Sequence, residues 1–374
     1  MPTCVFGQCG QNWGSAHHQN VTYIVYVDSM NIPYIKKFVM KKSSMVFSLA
    51  TLATTLTLSA QAASFSFGLW GDMPYQRAGD GPKMPAVIAS MNNAKLDFSI
   101  FVGDIKDGSS HCTDNVFTDA IKLFEGMNHP VVYIPGDNEW TDCHRLNNGG
   151  YDSQERLAHL RKVMFAKPTS FGPKAFPLES PKEQDAAYIE NKRFSQNNVM
   201  FVTLNIPGTN NNKILNEKDC KNKSARTDLQ CAQGNAEYMA RDAANINWLK
   251  SSFQKAKEQN TRGILLAFQG DPGFDLPETQ DVDESKAPSV SGYQMFLQAV
   301  IKETENYKGQ VLLVHGDTHF FKIDKPLYNP SQVLPNLTRL QTFGSPNLHW
   351  VKVTVDDKRQ SVFDIEPVMV QHTK

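Results

Sequence analysis

The sequence predicts a layered α/β fold. Two observations carry that expectation: from Phe65 onward short apolar runs alternate with longer segments of helical period, and after His319 the pattern changes to closely spaced β segments. A third is the punctuation, because five of the six apolar runs end in Gly-Asp, where glycine lets the chain leave a strand through conformations other residues resist.

The first strand is FSFGLWGD (65–72), closed by Gly71-Asp72. A helix is predicted over about 84–94, then the strand LDFSIFVGD (96–104), a helix over about 114–127, the strand VVYIPGD (131–137) and a helix over about 152–165. In each helix apolar residues recur at three and four. Residues 167–198 are polar and rich in Pro, Asn and Lys, so they read as a surface insertion, and 210–235 as a second one. Between them NVMFVTLN (198–205) is the one apolar run without Gly-Asp. The longest helix is expected over about 236–260, with Met239, Ala243, Ile246, Leu249 and Phe253 on one core-facing side. GILLAFQGD (263–271), a helix over about 291–307 and VLLVHGD (311–317) complete the alternation. Beyond His319, FFKID, LTRLQTFG, HWVKVTV and SVFDIE are separated by Pro, Asn and Asp-Asp turn signals, which predicts hairpins and a second sheet packed on the first.

Lys+Arg and Asp+Glu both number 38 in the 374 residues, and neither sign gathers into a long run, so no nucleic-acid or membrane-surface partner is expected. An anionic substrate must then be drawn by a local site. Met40-Lys41-Lys42, an apolar stretch from Met45 to about Leu58 and the small residues Ala60-Gln61-Ala62 read as a signal peptide over 40–62. Residues 1–39 then read as an upstream extension from a wrongly assigned start, and 63–374 as one domain, periplasmic or secreted. The apolar stretch is shorter than the about 20 residues of a membrane span. Export makes the even count of Cys112, Cys143, Cys220 and Cys231 a disulfide framework. Cys220 and Cys231 bracket one polar segment, and Cys112 and Cys143 each follow a Gly-Asp loop, so those are the favoured pairings of the three. No CxxC spacing supports a zinc site.

Acids follow glycine at strand ends at Asp72, Asp104, Asp137, Asp271 and Asp317, with Asp107, Glu139 and His319 two or three residues behind. One Gly-Asp after a strand is ordinarily a turn residue capping its own backbone. Several converging on one sheet edge would repel unless a cation neutralised them, and an oxygen-rich site with one imidazole suits Mn, Mg or Ca.

LWGDMPY, VGDIKDG, PGDNEW and HGDTH stand in the order and at about the spacing of the motif blocks of the calcineurin-like metallophosphoesterases, and the chain resembles that family over about residues 65–320. The family's blocks are DxH, GDxxD, GNH followed by an acid, a lone His, and GHxH. The resemblance implies a four-layer αββα sandwich with a dinuclear metal centre at the strand ends. By it, Asp72 binds the first metal, Asp104 bridges both, Asp137 replaces the Asn ligand, Asp317 replaces the first His of GHxH, and His319 matches the second. Either Gln269 or Asp271 takes the lone-His position, and Asp107 and Glu139 orient ligands from behind.

The departures are the lost histidines. DxH has become Asp72-Met73-Pro74, whose proline cannot ligate, and the GNH histidine is Asn138. His144 and Arg145 are the candidates for proton donation and phosphate contact, Arg145 because a guanidinium grips phosphate in a bidentate fork. Tyr75 and Trp140 either line a pocket or pack their own loops. The expectation is an exported phosphoric ester hydrolase acting on a small phosphorylated substrate with two divalent cations, Mn or Mg before Fe or Zn. The alternative is a binding protein on the same scaffold, its catalysis lost with the histidines.

Overall fold

In the computed structural model, which describes residues 64–274 and 287–372, the apolar runs are strands of two mixed sheets. The first sheet is ordered β11-β10-β1-β2-β3. Its members are β1 (Phe65–Trp70), β2 (Phe98–Val102), β3 (Val131–Ile134), β10 (Trp350–Val355) and β11 (Phe363–Val368). The second is ordered β4-β5-β6-β7-β9-β8. It contains β4 (Lys192–Gln196), β5 (Val199–Thr203), β6 (Gly263–Ala267), β7 (Gln310–His315), β8 (Lys322–Asp324) and β9 (Leu337–Gln341). β1, β2 and β3 are parallel, as are β5, β6, β7 and β9, while β4, β8, β10 and β11 pair antiparallel.

Alternation along each strand assigns the layers. Phe67, Leu69, Phe98, Ile100 and Val353 of the first sheet meet Phe201, Leu265, Leu312 and Val314 of the second in one buried core. The other face of the first sheet, with Trp70, Phe101, Tyr133 and Trp350, packs on α1 (Met84–Asn93), α2 (Asp114–Glu125) and α3 (Ser153–Met164). The outer face of the second, with Met200, Val202, Ile264 and Leu313, packs on α6 (Asp228–Glu258) and α7 (Gln294–Glu305). The result is a four-layer αββα sandwich. Two short elements, α4 (Gly208–Asn211) and α5 (Glu217–Lys221), lie between β5 and α6.

Three expectations are corrected. The late hairpins do not build a sheet of their own: β8 and β9 extend the second sheet beside β7, whereas β10 and β11 return to the first beside β1. β4 lies inside the stretch read as a surface insertion, paired with β5. The long helix begins at Asp228, where Thr227 and Gln230 form a reciprocal capping box that supplies its first unpaired N–H groups. Its buried face is also different, for Met239 is 62 % exposed while Arg241, Asp242 and Asn245 are buried. The reason is what that half of the helix covers, a loop of polar backbone and not the sheet. Arg241 donates to the carbonyls of Asn205 and Asn211, and Asn245 Nδ2 to the Asn205 carbonyl.

The two disulfides are Cys112–Cys143 and Cys220–Cys231, with Cα atoms 5.7 and 5.8 Å apart. Among the described residues no helix is long and apolar enough to cross a membrane. The expected extension over 1–39 and signal peptide over 40–62 lie outside the described residues.

Candidate functional site

Asp72, Asp104 and Asp137 stand just past the C-terminal ends of β1, β2 and β3, and Gln269, Asp317 and His319 just past β6 and β7. Parallel strands deliver them all to one edge of the sandwich, where the two sheets touch through their loops. The Asp317 N–H lies 3.3 and 3.2 Å from the two oxygens of Asp72. His319 Nε2 is 3.7 Å from Asp72 Oδ1. A Cβ built on Gly208 would sit 2.8 Å from both Asp137 Oδ2 and Asp317 Oδ1, so these two carboxylates flank one bare backbone position that only glycine fits.

Asp104 is enclosed by donors. Its Oδ1 accepts the Asn138 N–H at 3.1 Å, and its Oδ2 accepts Asn138 Nδ2 at 2.6 Å and the Tyr75 hydroxyl at 3.0 Å. Behind it Glu139 Oε1 accepts from the N–H groups of Asp104 and Gly136 and from the Tyr133 hydroxyl, which fixes the turn after β3 against the turn after β2. The Cys112–Cys143 disulfide joins the same two loops further out. Asp107 accepts from Ser109 and Ser110 and caps its own turn.

Gln269 and Asp271 direct their side chains differently. Gln269 is fully buried, its Oε1 accepting the Gly208 N–H at 2.6 Å and its Nε2 lying 3.4 Å from Asp317 Oδ1. Asp271 turns its Oδ1 to the Gly273 N–H and reaches the cluster through its backbone N–H, 3.0 Å from Asp317 Oδ2. His144 is not brought to the carboxylates: its Nδ1 donates to the Thr141 carbonyl at 2.7 Å. Arg145 pairs with Asp142 and donates to the Thr209 hydroxyl, which itself lies 2.8 Å from Asp137 Oδ2.

Four of the gathered residues hold left-handed backbone, Asp72 (φ 51°), Asp104 (60°), Asp317 (76°) and His319 (70°). That region is uncommon for any residue with a Cβ, and strain there concentrates at functional sites. Electrostatics is equally unfavourable. Burial, then the Asp317 charge, pushes the Asp72 carboxyl well above the usual range, and burial followed by Asp137 and Glu139 does the same to Asp104. Asp317 is raised to about 8 by burial and by Asp137. Among the described residues no Lys or Arg forms an ion pair with Asp72, Asp104, Asp137 or Asp317. Like charges about 4 Å apart repel by about 1 kcal/mol in water and about 4 kcal/mol near a protein surface, so these acids cannot all ionise without a cation or protons.

Three features fit a divalent cation. Asp137 Oδ1 is buried with no hydrogen-bond partner. His319 donates Nδ1–H to the Ser345 carbonyl at 2.6 Å and turns Nε2 to the acids, the orientation a second shell gives to a ligating imidazole. The remaining acidic side chains offer carboxylate oxygen, which suits hard cations, whereas Gln269 and Asn138 turn their amide nitrogens to the carboxylates. Among the described residues no group of three or more His, Cys, Asp or Glu side chains is arranged as it stands to hold a metal ion. The oxygens of Asp72 and Asp104 are instead turned to N–H and O–H donors.

Sequence reasoning missed Gly208 and Thr209, because β5 ends without Gly-Asp and the run Thr209 to Asn212 that follows is left-handed throughout. It also missed Lys106, a buried cation whose Nζ donates to the Asp107 carbonyl and which faces Asp104 and Glu139. Tyr75, for which the sequence leaves lining a pocket and packing its own loop both open, turns its hydroxyl to Asp104.

No family model matches the sequence, and no curated protein matches it. Solved structures do match. The Plasmodium protein described as "GAP50 the anchor in the inner membrane complex" is 13% identical over 83% of this chain and 90% of its own, with a TM-score of 0.40. TT1561 of Thermus thermophilus is 9% identical over 83% of this chain and 100% of its own, TM-score 0.41. The 5'-nucleotidase from Candida albicans SC5314 is 11% identical over 81% of this chain and 50% of its own, TM-score 0.35. The likeness is one of fold alone. The layers themselves are those expected from the sequence, helices on the outer faces of two packed mixed sheets.

Proposed function

We propose that the chain is an exported phosphoric ester hydrolase that holds two divalent cations, Mn or Mg, with Asp72, Asp104, Asp137, Asp317 and His319. Gln269 is the better placed of the two remaining candidates, since its amide lies inside the cluster and the Asp271 carboxylate caps a turn. The observation that carries the reading is the burial of Asp72, Asp104 and Asp137, with Asp317 half-buried beside them, and the unpartnered Oδ1 of Asp137. Held by these residues, such cations would supply a nucleophile at neutral pH by lowering the pKa of water and would polarise phosphoryl oxygens. The chain's own part is placement. Asn138 and Tyr75 hold the Asp104 carboxylate, the Ser345 carbonyl fixes the His319 tautomer, and Arg145, one hydroxyl away from Asp137, is placed to contact a phosphoryl oxygen.

Metal analysis of the purified protein, joined to an aryl phosphate assay in added Mn, tests this. Asp104→Asn is expected to abolish metal-dependent turnover with an unchanged circular dichroism spectrum, and unchanged turnover would remove Asp104 from the centre.

A second reading, a metal-binding protein without turnover, is favoured by one observation. Asn138 replaces the proton-donating histidine and is committed to Asp104, while His144 is tied to Thr141. Stoichiometric metal without hydrolysis of any phosphate ester would select it.

A further inference from the structure

We propose that a basic cleft beside the carboxylates, lined by Arg145, Lys213 and Arg226, binds a second anionic group on the organic part of the substrate, so that the preferred phosphate ester is doubly anionic. This inference rests on the hydrolytic reading above and adds the class of ester to it.

The cleft has a volume of about 480 Å³ and is lined also by Thr141, His144, Thr209, Ile214 and Leu215. Thr209 belongs to both places, because its hydroxyl contacts Asp137 on one side and receives the Arg145 guanidinium on the other. The Arg145 end of the cleft is therefore separated from Asp137 by one side chain, which a short organic spacer would bridge.

The charges of the cleft are not balanced. Arg145 is answered by Asp142. Arg226 makes no ion pair among the described residues: Nε and Nη2 donate to the backbone carbonyls of Cys220 and Asp219, contacts that aim the guanidinium without neutralising it. Lys213 meets the Ser291 carbonyl, at 3.5 Å, and the face of Tyr238, with Asp242 nearby but outside the cleft. Among the described residues Asp219 is the one carboxylate lining the cleft, and its Oδ2 accepts the Leu215 N–H. His144 adds no charge, since burial and then the nearby Arg226 lower it to about 4. Arg145, Lys213 and Arg226 against Asp219 leave the described lining of the cleft net positive, which suits an anion, and charge-assisted bonds to phosphate or carboxylate are the strong ones. The geometry is also braced, for the segment carrying Arg226 is closed by the Cys220–Cys231 disulfide and capped by Asn216 on Asp219.

The test compares hydrolysis of propyl phosphate, 3-carboxypropyl phosphate and propane-1,3-bisphosphate by the Mn-loaded full chain. A KM for the bisphosphate about tenfold or more below that of propyl phosphate is expected. The carboxylate ester shows whether the cleft requires phosphate or accepts any anion. Lys213→Gln and Arg226→Gln should each raise the bisphosphate KM about three- to tenfold at unchanged kcat, and leave propyl phosphate unaltered. Should Arg226→Gln loosen its loop, seen as a lowered Tm, Lys213→Gln decides alone. Equal KM values for the three esters, or variants that shift all three alike, would overturn the proposal. If no ester is hydrolysed, the hydrolytic reading fails by itself, and calorimetric titration with the bisphosphate decides the cleft. Binding weakened about tenfold in Lys213→Gln sustains the anion site, and absent or unchanged binding removes it.

Discussion

Tyr75 donates its hydroxyl to Asp104 Oδ2 at 3.0 Å while its ring stands edge-on to His319, the centroids 5.3 Å apart. A residue from the loop after β1 thus connects the acid at the end of β2 to the histidine after β7. Tyr75→Phe keeps the buried ring and removes one donor from an acceptor that retains two others, so the expected cost is about 1 kcal/mol. Urea unfolding of the two proteins measures it. A difference below about 0.3 kcal/mol would show that the phenol adds nothing to the cluster.

Gly208 should be intolerant of the smallest side chain. Its added Cβ would lie 2.8 Å from oxygens of both Asp137 and Asp317, which cannot retreat without breaking the contacts to Thr209 and Asp271. Gly208→Ala is expected to reduce the Tm increase produced by Mn to a small fraction of the wild-type value, with secondary structure intact. An undiminished Mn effect would separate this backbone position from cation binding.

Acid should destabilise the fold through a histidine remote from the site. His129 is buried, its Nε2 3.0 Å from Ser99 Oγ, and burial lowers it to about 4 from the ordinary 6.5. The unfolded chain therefore binds the extra proton between those two values, and stability falls as pH drops from about 6.5 towards 4. Urea midpoints across that interval should decline less steeply in His129→Gln; parallel pH profiles would show that other groups set the slope.

The Cys112–Cys143 disulfide closes a loop with a sequence separation of 31, and the chain-entropy account gives such a loop about 3–4 kcal/mol. Replacing both cysteines by serine should lower unfolding free energy by an amount of that order. Cation affinity should fall with it, since the bridge joins the loops of Asp104 and Asp137. Loss of stability with unaltered Mn affinity would confine the disulfide to a structural role.

What could be read from the sequence was local. Apolar runs closed by Gly-Asp reveal both a strand and the acid at its end, and for that reason Asp72, Asp104, Asp137 and Asp317 are found without coordinates. Partners distant in sequence are not encoded that way: nothing in HWVKVTV says that β10 pairs with β1 and not with its predecessor β9. The helix over 228–258 shows the converse failure. Apolar period picked Met239 and Ala243, both exposed, because half of the inner face serves a polar loop through Arg241 and Asn245. Thr209 was hidden for a similar reason, since a left-handed run of Thr and Asn carries no hydrophobic pattern at all.

The left-handed turns at Asp72, Asp104, Asp317 and His319 set the chain's working parts against its comfort. Each such residue would relax if replaced by glycine, by about 1 kcal/mol or more, and losing an acid would relieve its neighbours as well. Mutation at these positions is therefore downhill for folding. A library screened for thermal resistance alone would erode these acids first, and with them whatever cation the cluster can hold.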